Sequence, residues 1–217
     1  MENLHGIKRT LGSRQKAKKP ILINDLKLII KAIDEEKIKT KSFVESKVKA
    51  IWKLRDKALI LVGFAGGFRR SELVNIDYED IEFVNEGVKI FIRRSKTDQS
   101  GEGMIKAIPY FENKKFCPVT KLKDWINYLN IKSGKIFEIS DKSVSLIIKN
   151  YASFSGLDPN KYGGHSLRSG FATSAAEFGA EERNIMAMTG HKTTQMVRRY
   201  IQEANLFKNN ALNKIKI

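Results

Sequence analysis

Cysteine is almost missing from this chain of 217 residues, which contains one, Cys117. A single thiol excludes an internal disulfide and a zinc site built from cysteine pairs. Such sparse use of cysteine is typical of a reducing compartment, so we expect a cytoplasmic protein.

Long hydrophobic runs are missing as well. The longest apolar stretch, residues 58–68, contains three glycines. It falls far short of the ~20 residues that cross a bilayer. The N-terminus shows no apolar segment typical of a signal peptide. We therefore expect no membrane partner.

Acidic residues are too few to balance the basic ones, 24 against 40, which leaves a net charge of +16. A surplus of this size repels itself unless a polyanion binds, and nucleic acid is the usual polyanion. The charge alone leaves open a ribosome-bound protein, a ligand of acidic membranes or a chance excess. Residues 1–20 hold six basic residues against one acidic residue and lack periodicity. They predict an arm or linker that either follows a DNA backbone or acts as a solubilising tail.

Two common phosphate-handling motifs are also absent from the sequence. No cluster of carboxylates suits a pair of magnesium ions. No Gly-x-x-x-x-Gly-Lys-Ser/Thr loop is present to hold a nucleotide. Phosphate chemistry in this chain is therefore expected to use no metal ion and no nucleotide cofactor.

Helical periodicity dominates what is present. Apolar spacings of three and four residues predict a first helix capped by Asn24 or Asp25. A longer second helix starts near residues 42–46, and its apolar stripe begins with Val48 and Trp52. A glycine pair at residues 66–67 is expected to end it.

Between residues 81 and 110 the apolar period changes to two, which predicts three antiparallel strands. Lys96 falls at or beside the second turn. Further helices are predicted from residue 71, over residues 118–130 and 141–154, and from residue 166 to the end with breaks near Gly179 and Gly190. The expected fold class is α+β, mainly helical with a small three-stranded antiparallel sheet.

Candidate functional side chains gather in residues 163–200. This window holds two of the three histidines, His165 and His191, together with Arg168 and Tyr200. Imidazoles, a guanidinium and a phenol suggest a phosphate site with a tyrosine nucleophile. Residues three apart share a helix face, but alone His165 and Arg168 fit a capping histidine and a surface arginine equally well.

Basic residues elsewhere could complete such a site. Arg69 follows the glycine pair at the end of a buried helix, and its planar guanidinium matches two phosphate oxygens. Arg70 is equally available for that role. Lys96 could act as a general acid toward a leaving oxygen, although alone it fits a surface lysine.

The Tyr200 phenol needs activation, because its ordinary pKa is ~10. Nearby cations are expected to lower that pKa, and an imidazole can accept the proton. His165 and His191 are the two candidates for this acceptor.

Five segments resemble, in order and spacing, the catalytic motifs of the tyrosine recombinase or phage integrase family: GFRRSEL (67–73), RSKTDQSGEG (94–103), HSLRSGFAT (165–173), TGH (189–191) and RRYI (198–201). One such segment is weak evidence, but five in order are specific. The resemblance covers residues 21–217, the family's catalytic domain, with residues 1–20 as an interdomain linker. It implies site-specific recombination or integration of DNA, as in mobile elements, through a 3′-phosphotyrosine intermediate.

The resemblance implies that three residues hold the scissile phosphate and that a fourth supports them. Arg69 and Arg168 would clamp it, and His191 would keep it in place. Glu72 would support the clamp without acting as a catalyst.

Three further residues would then carry the reaction. Tyr200 would attack the phosphorus, His165 would assist proton transfer, and Lys96 would protonate the leaving 5′ oxygen. The covalent link stores the energy of the phosphodiester bond, so religation to another strand needs no cofactor.

The implied partners are double-stranded DNA and further copies of the chain. Family members work as tetramers, and residues 203–217 would dock on a neighbouring subunit. They usually carry a separate helical DNA-binding domain ahead of the catalytic one. We expect that domain to be absent here, in a truncated piece or a natural short form.

Two positions depart from the family pattern: Ser169-Gly170 replaces a large residue, and Arg70 stands where an apolar residue is usual. Two alternative functions stay open. One is a non-catalytic DNA-binding remnant of a mobile-element integrase. The other is a type IB topoisomerase, which uses a similar residue set.

Overall fold

The computed structural model describes residues 18–35, 43–93, 103–208 and 211–215. The helices are α1 (Ile23–Glu35), α2 (Phe43–Ala65), α3 (Arg70–Val74), α4 (Pro118–Leu129), α5 (Asp141–Phe154), α6 (Ser166–Glu177), α7 (Glu182–Thr189) and α8 (Thr194–Asn205). The strands are β1 (Ile81–Val84), β2 (Gly87–Ile92) and β3 (Met104–Pro109). Short 3-10 turns occupy Tyr78–Asp80, Pro159–Lys161 and Ala211–Lys214. The predicted fold class, mainly helical with one small antiparallel sheet, is confirmed.

The first helix follows its predicted apolar spacing but starts earlier. α1 buries the four residues that carry the spacing, Leu26, Ile29, Ile30 and Ile33. Because α1 begins at Ile23, Asn24 and Asp25 lie inside its first turn, and their prediction as caps is wrong. The Asp25 carboxylate instead accepts hydrogen bonds from Lys19 and Tyr162.

The second helix is buried over its second half. Residues 58–68 are all buried, and α2 contacts both α4 and α6. The predicted stripe is wrong at its start, since Val48 and Trp52 are 36% and 50% exposed. A helix of this length measures about 34 Å, so its first turns extend past the core that covers the rest.

The three strands pair in the order β1-β2-β3, each antiparallel to its neighbour. Burial alternates along β3, so that Lys106 and Ile108 point inward while Ile105 is exposed. The predicted turn with Lys96 would join β2 and β3, but it lies outside the described residues. β3 also contacts α4, which places the sheet against the helical core.

The three C-terminal helices share a second, smaller apolar cluster. It consists of small or branched side chains from α6, α7 and α8: Ala172, Ala176, Ile185 and Val197. Tyr200 on α8 packs against this cluster. The predicted helix breaks are confirmed at Gly179 and Gly190, which both have positive φ.

Parts of the predicted terminal segments are not described. Residues 1–17 of the predicted arm, and residues 209–210 and 216–217 of the predicted docking segment, lie outside the described ranges. Among the helices that are described, none combines the length and the apolar character needed to span a membrane.

Candidate active site

Arg168 lies in the first turn of α6 and is 1% exposed. Its Nη1 donates a hydrogen bond to the Gly67 carbonyl over 2.9 Å. Its Nη2 is buried without a hydrogen-bond partner among the described residues. Burial, and then the charge of Arg69, lowers the pKa of Arg168 to about 10, which leaves it cationic at neutral pH. The surface-arginine interpretation is therefore wrong, and the site holds a charged donor with an unused N–H.

Arg69 is the second cation of this group. Its Nη1 donates to Glu72 Oε1 over 2.6 Å, and its backbone N–H donates to Oε2 over 2.9 Å. Burial alone would raise the pKa of the Glu72 carboxyl, but these hydrogen bonds and nearby cations hold that pKa below its ordinary value. The anionic Glu72 therefore fixes Arg69 at the start of α3.

Arg70 points elsewhere. Its Nε lies 3.1 Å from Asp141 Oδ2 at the start of α5, in a partly exposed ion pair. Of the two adjacent arginines between which the sequence left the choice open, Arg69 is the one whose charge acts on Arg168. The same ion pair accounts for a charged residue at this usually apolar position.

The turn between α2 and α3 connects the two arginines. Gly67 has φ 55° there, a left-handed conformation that favours glycine. A Cβ at Gly67 would lie 2.9 Å from Phe171 on α6 and 3.2 Å from Thr189 on α7. This close packing places the Gly67 carbonyl within hydrogen-bond distance of the Arg168 side chain.

Tyr200 meets the first histidine at this site. Its Oη lies 3.3 Å from His165 Nε2. Desolvation, and then the charges of Arg168 and Arg69, lowers the pKa of His165, so its ring is neutral at pH 7 and can accept a proton. Nearby cations do act to lower the pKa of Tyr200, as expected, but they do not decide its net value in the free protein. Burial raises that pKa and outweighs the opposing charge of Arg168.

His191 is held by the residue two positions before it. The Thr189 hydroxyl oxygen lies 2.7 Å from His191 Nδ1 and 2.6 Å from the Ile185 carbonyl oxygen. A carbonyl only accepts, so the hydroxyl must donate its one proton to Ile185. It then accepts from His191, which places the ring proton on Nδ1 and leaves Nε2 of the neutral ring bare.

The neutral form of His191 is strongly favoured in the free protein. Burial, and then the nearby charges of Arg168 and Arg69, lowers its pKa to about 4. Its ring centre lies 6.0 Å from that of Tyr200. His165, Arg168, His191 and Tyr200 are thus brought together, with Arg69 beside them.

Two lysines bear on this site, Lys96 and Lys106. Lys96, the predicted general acid, lies outside the described residues, so its role stays a prediction. Lys106 on β3 was missed by the sequence reasoning, although it is fully buried and its charge acts on His191 and Arg168. The available signal was a lysine on the same strand face as Ile108, where alternation predicts an apolar residue.

A basic cleft opens beside this site. It encloses about 830 Å³ and is lined by His165 and Tyr200 together with Lys18, Lys161 and Arg199. Among the described residues, no group of His, Cys, Asp and Glu side chains is arranged to hold a metal ion. The basic side chains of the rim thus share one open groove with His165 and Tyr200.

The chain enters this cleft along the loop that precedes α6. The backbone N–H of Lys19 donates to the Lys161 carbonyl over 2.7 Å, and that of Ile21 donates to the Ser166 carbonyl over 2.9 Å. A Cβ at Gly170 would lie 2.0 Å from the Ile21 carbonyl oxygen. Gly170 is therefore required where a larger residue is usual, because the backbone of Ile21 occupies the space that a side chain at position 170 would need.

Comparison with known proteins identifies relatives of one kind. The sequence model of the Phage integrase family matches residues 24–206. An integrase/recombinase xerD homolog from Selenomonas ruminantium is 45% identical over 98% of this chain and 62% of that protein. Tyrosine recombinase XerA from Pyrococcus horikoshii is 28% identical, covering 82% of this chain and 62% of its own length. The chain therefore spans less than two thirds of either relative.

Solved structures show the same fold. The XerH recombinase bound to its difH substrate before cleavage superimposes with a TM-score of 0.66, at 18% identity, over 92% of this chain and 56% of that chain. XerA recombinase gives a TM-score of 0.66 at 17% identity, over 94% of this chain and 67% of that chain.

Proposed function

Since this chain belongs to the phage integrase family of tyrosine recombinases, we propose that it performs site-specific recombination, cutting and rejoining DNA strands through a phosphotyrosine link. One observation carries the proposal. The buried Arg168 keeps an unused N–H beside a tyrosine hydroxyl that already contacts an imidazole. A charged donor buried without a partner is costly in a folded protein, and a phosphate oxygen would satisfy it.

In the proposed first step, the scissile phosphate enters between Arg69 and Arg168. Each guanidinium is planar and fixed in place, one by Glu72 and one by the Gly67 carbonyl. Fixed cations stabilise the additional charge of a pentacoordinate phosphorus without having to reorganise.

His191 joins this phosphate clamp as an imidazolium. Its neutral ring has no proton on Nε2, so it cannot donate to a phosphate oxygen in that state. The negative charge of the phosphate raises the pKa of a nearby imidazole. DNA binding is therefore accompanied by uptake of one proton at His191.

In the second step, the Tyr200 oxygen attacks the phosphorus. Its proton passes to His165 Nε2, which lies 3.3 Å away and is neutral at pH 7. The bond from phosphorus to the 5′ oxygen breaks, and Lys96 gives that oxygen a proton. The products are a 3′-phosphotyrosyl link and a free 5′ hydroxyl. Attack by a 5′ hydroxyl of another strand reverses each transfer and releases Tyr200.

The surroundings of the site suit a DNA duplex. Lys18, Lys161 and Arg199 line the cleft beside Tyr200, and backbone phosphates are what such a basic groove binds. Further parts of the proposal are a homotetramer on two duplexes, docking by residues 203–217, a DNA-tracking role for residues 1–20 and a cytoplasmic location. They follow from the family, whose members exchange strands between paired sites.

The test is formation of a covalent adduct. Duplexes bound by the protein are selected from a randomised library, rebuilt with a nick near each candidate scissile phosphate, and incubated with protein. A denaturing gel then separates free from DNA-linked protein. We expect an adduct with the wild-type chain and none with Tyr200→Phe, while Tyr128→Phe, an exposed tyrosine on α4, should behave as wild type.

A second pair of variants tests the phosphate clamp. Arg69→Ala should abolish adduct formation, and Arg70→Ala should leave it unchanged because Arg70 pairs with Asp141. Retained, salt-dependent DNA binding with no adduct from the wild-type chain would favour the non-catalytic remnant. An adduct that survives Tyr200→Phe would refute the assigned nucleophile.

A further inference from the structure

Lys106 is a basic residue in the apolar interior. It sits on the inward face of β3 and has no solvent exposure. Its Nζ donates to the Gly66 carbonyl over 2.8 Å and also to the Met188 carbonyl. The amine lies 4.7 Å from the centre of the Phe68 ring, a favourable place for a cation.

The two carbonyls belong to the C-terminal ends of two helices. α2 ends at Ala65 and α7 ends at Thr189, so Gly66 and Met188 lie at those ends. Helix C-termini leave carbonyls without intrahelical partners and carry partial negative charge. A lysine donor therefore caps both helices with one amine.

Each capped end leads directly into the candidate active site. Gly66 is followed by Gly67, whose carbonyl holds Arg168, and then by Arg69. Met188 is followed by Thr189, which holds His191. The Lys106 amine thus connects the segment that positions Arg69 and Arg168 with the segment that positions His191.

This link does not depend on the charge of the amine. Burial lowers the pKa of Lys106 to about 7, against the opposing pull of Glu72. A neutral amine has two N–H groups and an ammonium has three, so either form can donate to both carbonyls. Because the side chain is fully buried and its amine is held by two backbone carbonyls, Lys106 is not placed to contact a DNA oxygen and does not duplicate the role predicted for Lys96.

We propose that Lys106 is a positioning residue for DNA cleavage. By capping α2 and α7 with one amine, it holds Arg69, Arg168 and His191 in a common geometry around the phosphate. This inference rests on the proposed function, since it concerns the rate of the same reaction. Losing the link should misplace these groups by up to about 1 Å, and a shift of that size can cost on the order of 100-fold in rate.

The experiment compares three variants of the whole chain. Lys106→Met keeps the apolar stem and removes both donors, and Lys106→Arg restores donors. Lys89→Met is the matched control, because Lys89 lies on the neighbouring strand β2 and is exposed. Single-turnover adduct formation, DNA affinity and thermal unfolding are measured for each, with rates taken well below every melting temperature.

We expect Lys106→Met to slow adduct formation on the order of 100-fold with unchanged DNA affinity. Lys106→Arg should recover part of that loss, and Lys89→Met should match wild type. An unchanged rate in Lys106→Met, even with a lower melting temperature, would reduce Lys106 to a stabilising residue and overturn the proposal. Parallel loss of affinity and rate would overturn it too. If Lys106→Met does not fold, rate and DNA affinity are compared in the same way for Lys106→Leu, which also lacks side-chain donors.

A readout without DNA separates this inference from the proposed function. NMR resonances of the His191 ring should shift in Lys106→Met and stay unchanged in Lys89→Met. If the wild-type chain forms no adduct, the proposed function fails. A shift of the His191 resonances in Lys106→Met would then support only the structural link that Lys106 makes between α2 and α7. Unchanged His191 resonances in Lys106→Met would contradict the link itself.

Discussion

The proton on His191 provides the sharpest test of the site's hydrogen bonding. The perturbation is Thr189→Val, which keeps the shape of the side chain and removes its hydroxyl. In the wild-type protein that hydroxyl donates to the Ile185 carbonyl and accepts from Nδ1 of His191. The substitution therefore removes the acceptor that holds the ring proton on Nδ1.

The magnitude follows from the burial of both partners. Thr189 has no solvent exposure and His191 is 7% exposed. An orphaned buried donor costs about 1–3 kcal/mol, which corresponds to a change of about 5- to 150-fold in the ratio of the two tautomers. Thr189→Val should therefore move the proton from Nδ1 to Nε2. It should also lower the pKa of His191 further, because the imidazolium still needs a partner at Nδ1.

The assay is a long-range proton–nitrogen NMR correlation on protein with labelled histidine. It distinguishes protonated from bare ring nitrogens, and His191→Gln identifies the resonances. Thr189→Ser should keep the wild-type tautomer, and so should Thr193→Val, since Thr193 is exposed and makes no side-chain cap bond. A wild-type ring protonated on Nε2, or an unchanged tautomer in Thr189→Val, would refute this hydrogen-bond assignment.

Two further predictions concern pH and packing. His165 must be neutral to accept the Tyr200 proton, and its pKa lies below the ordinary 6.5. Adduct formation should therefore fall as the pH drops and His165 becomes protonated, and an acid-side decline that persists in His165→Asn would contradict the role. Gly170→Ala should place a Cβ against the Ile21 carbonyl oxygen, and the overpacking cost of about 1–3 kcal/mol should outweigh the gain in helix propensity of about 1 kcal/mol. Urea unfolding measures the change in stability. A midpoint for Gly170→Ala at or above that of the wild-type chain would show that the backbone at Ile21 moves aside without cost.

Periodicity was sufficient for most elements of the fold. The three strands, the helices from residue 118 onward and the breaks at Gly179 and Gly190 follow the predicted pattern. It was insufficient where burial depends on neighbours distant in sequence. Trp52 continues an apolar stripe and is nevertheless half exposed, because the first turns of α2 extend past the helices that cover the rest of it.

For the candidate site too, some features could be predicted from the sequence and others could not. Residue type and spacing were enough to propose His165, Arg168, His191 and Tyr200, because phosphate and proton chemistry requires those groups. Neither could show that burial raises the pKa of Tyr200 above its ordinary value. Desolvation depends on what covers a side chain, and residues remote in sequence provide that cover.

By itself, then, the sequence determined which chemical groups the protein has and which elements carry them, since local spacing and composition decide both. Only the tertiary structure decided which partners those groups have and how they are positioned. It assigned Arg69 to Glu72 and Arg70 to Asp141, placed the ring proton of His191, and directed the Lys106 amine to the ends of two helices. The pairs Arg69–Glu72 and Thr189–His191 are close in sequence, but spacing alone did not show that they are buried and hydrogen-bonded. The contacts of Arg70 with Asp141 and of Lys106 with Gly66 and Met188 join segments far apart in the chain, which no local pattern encodes.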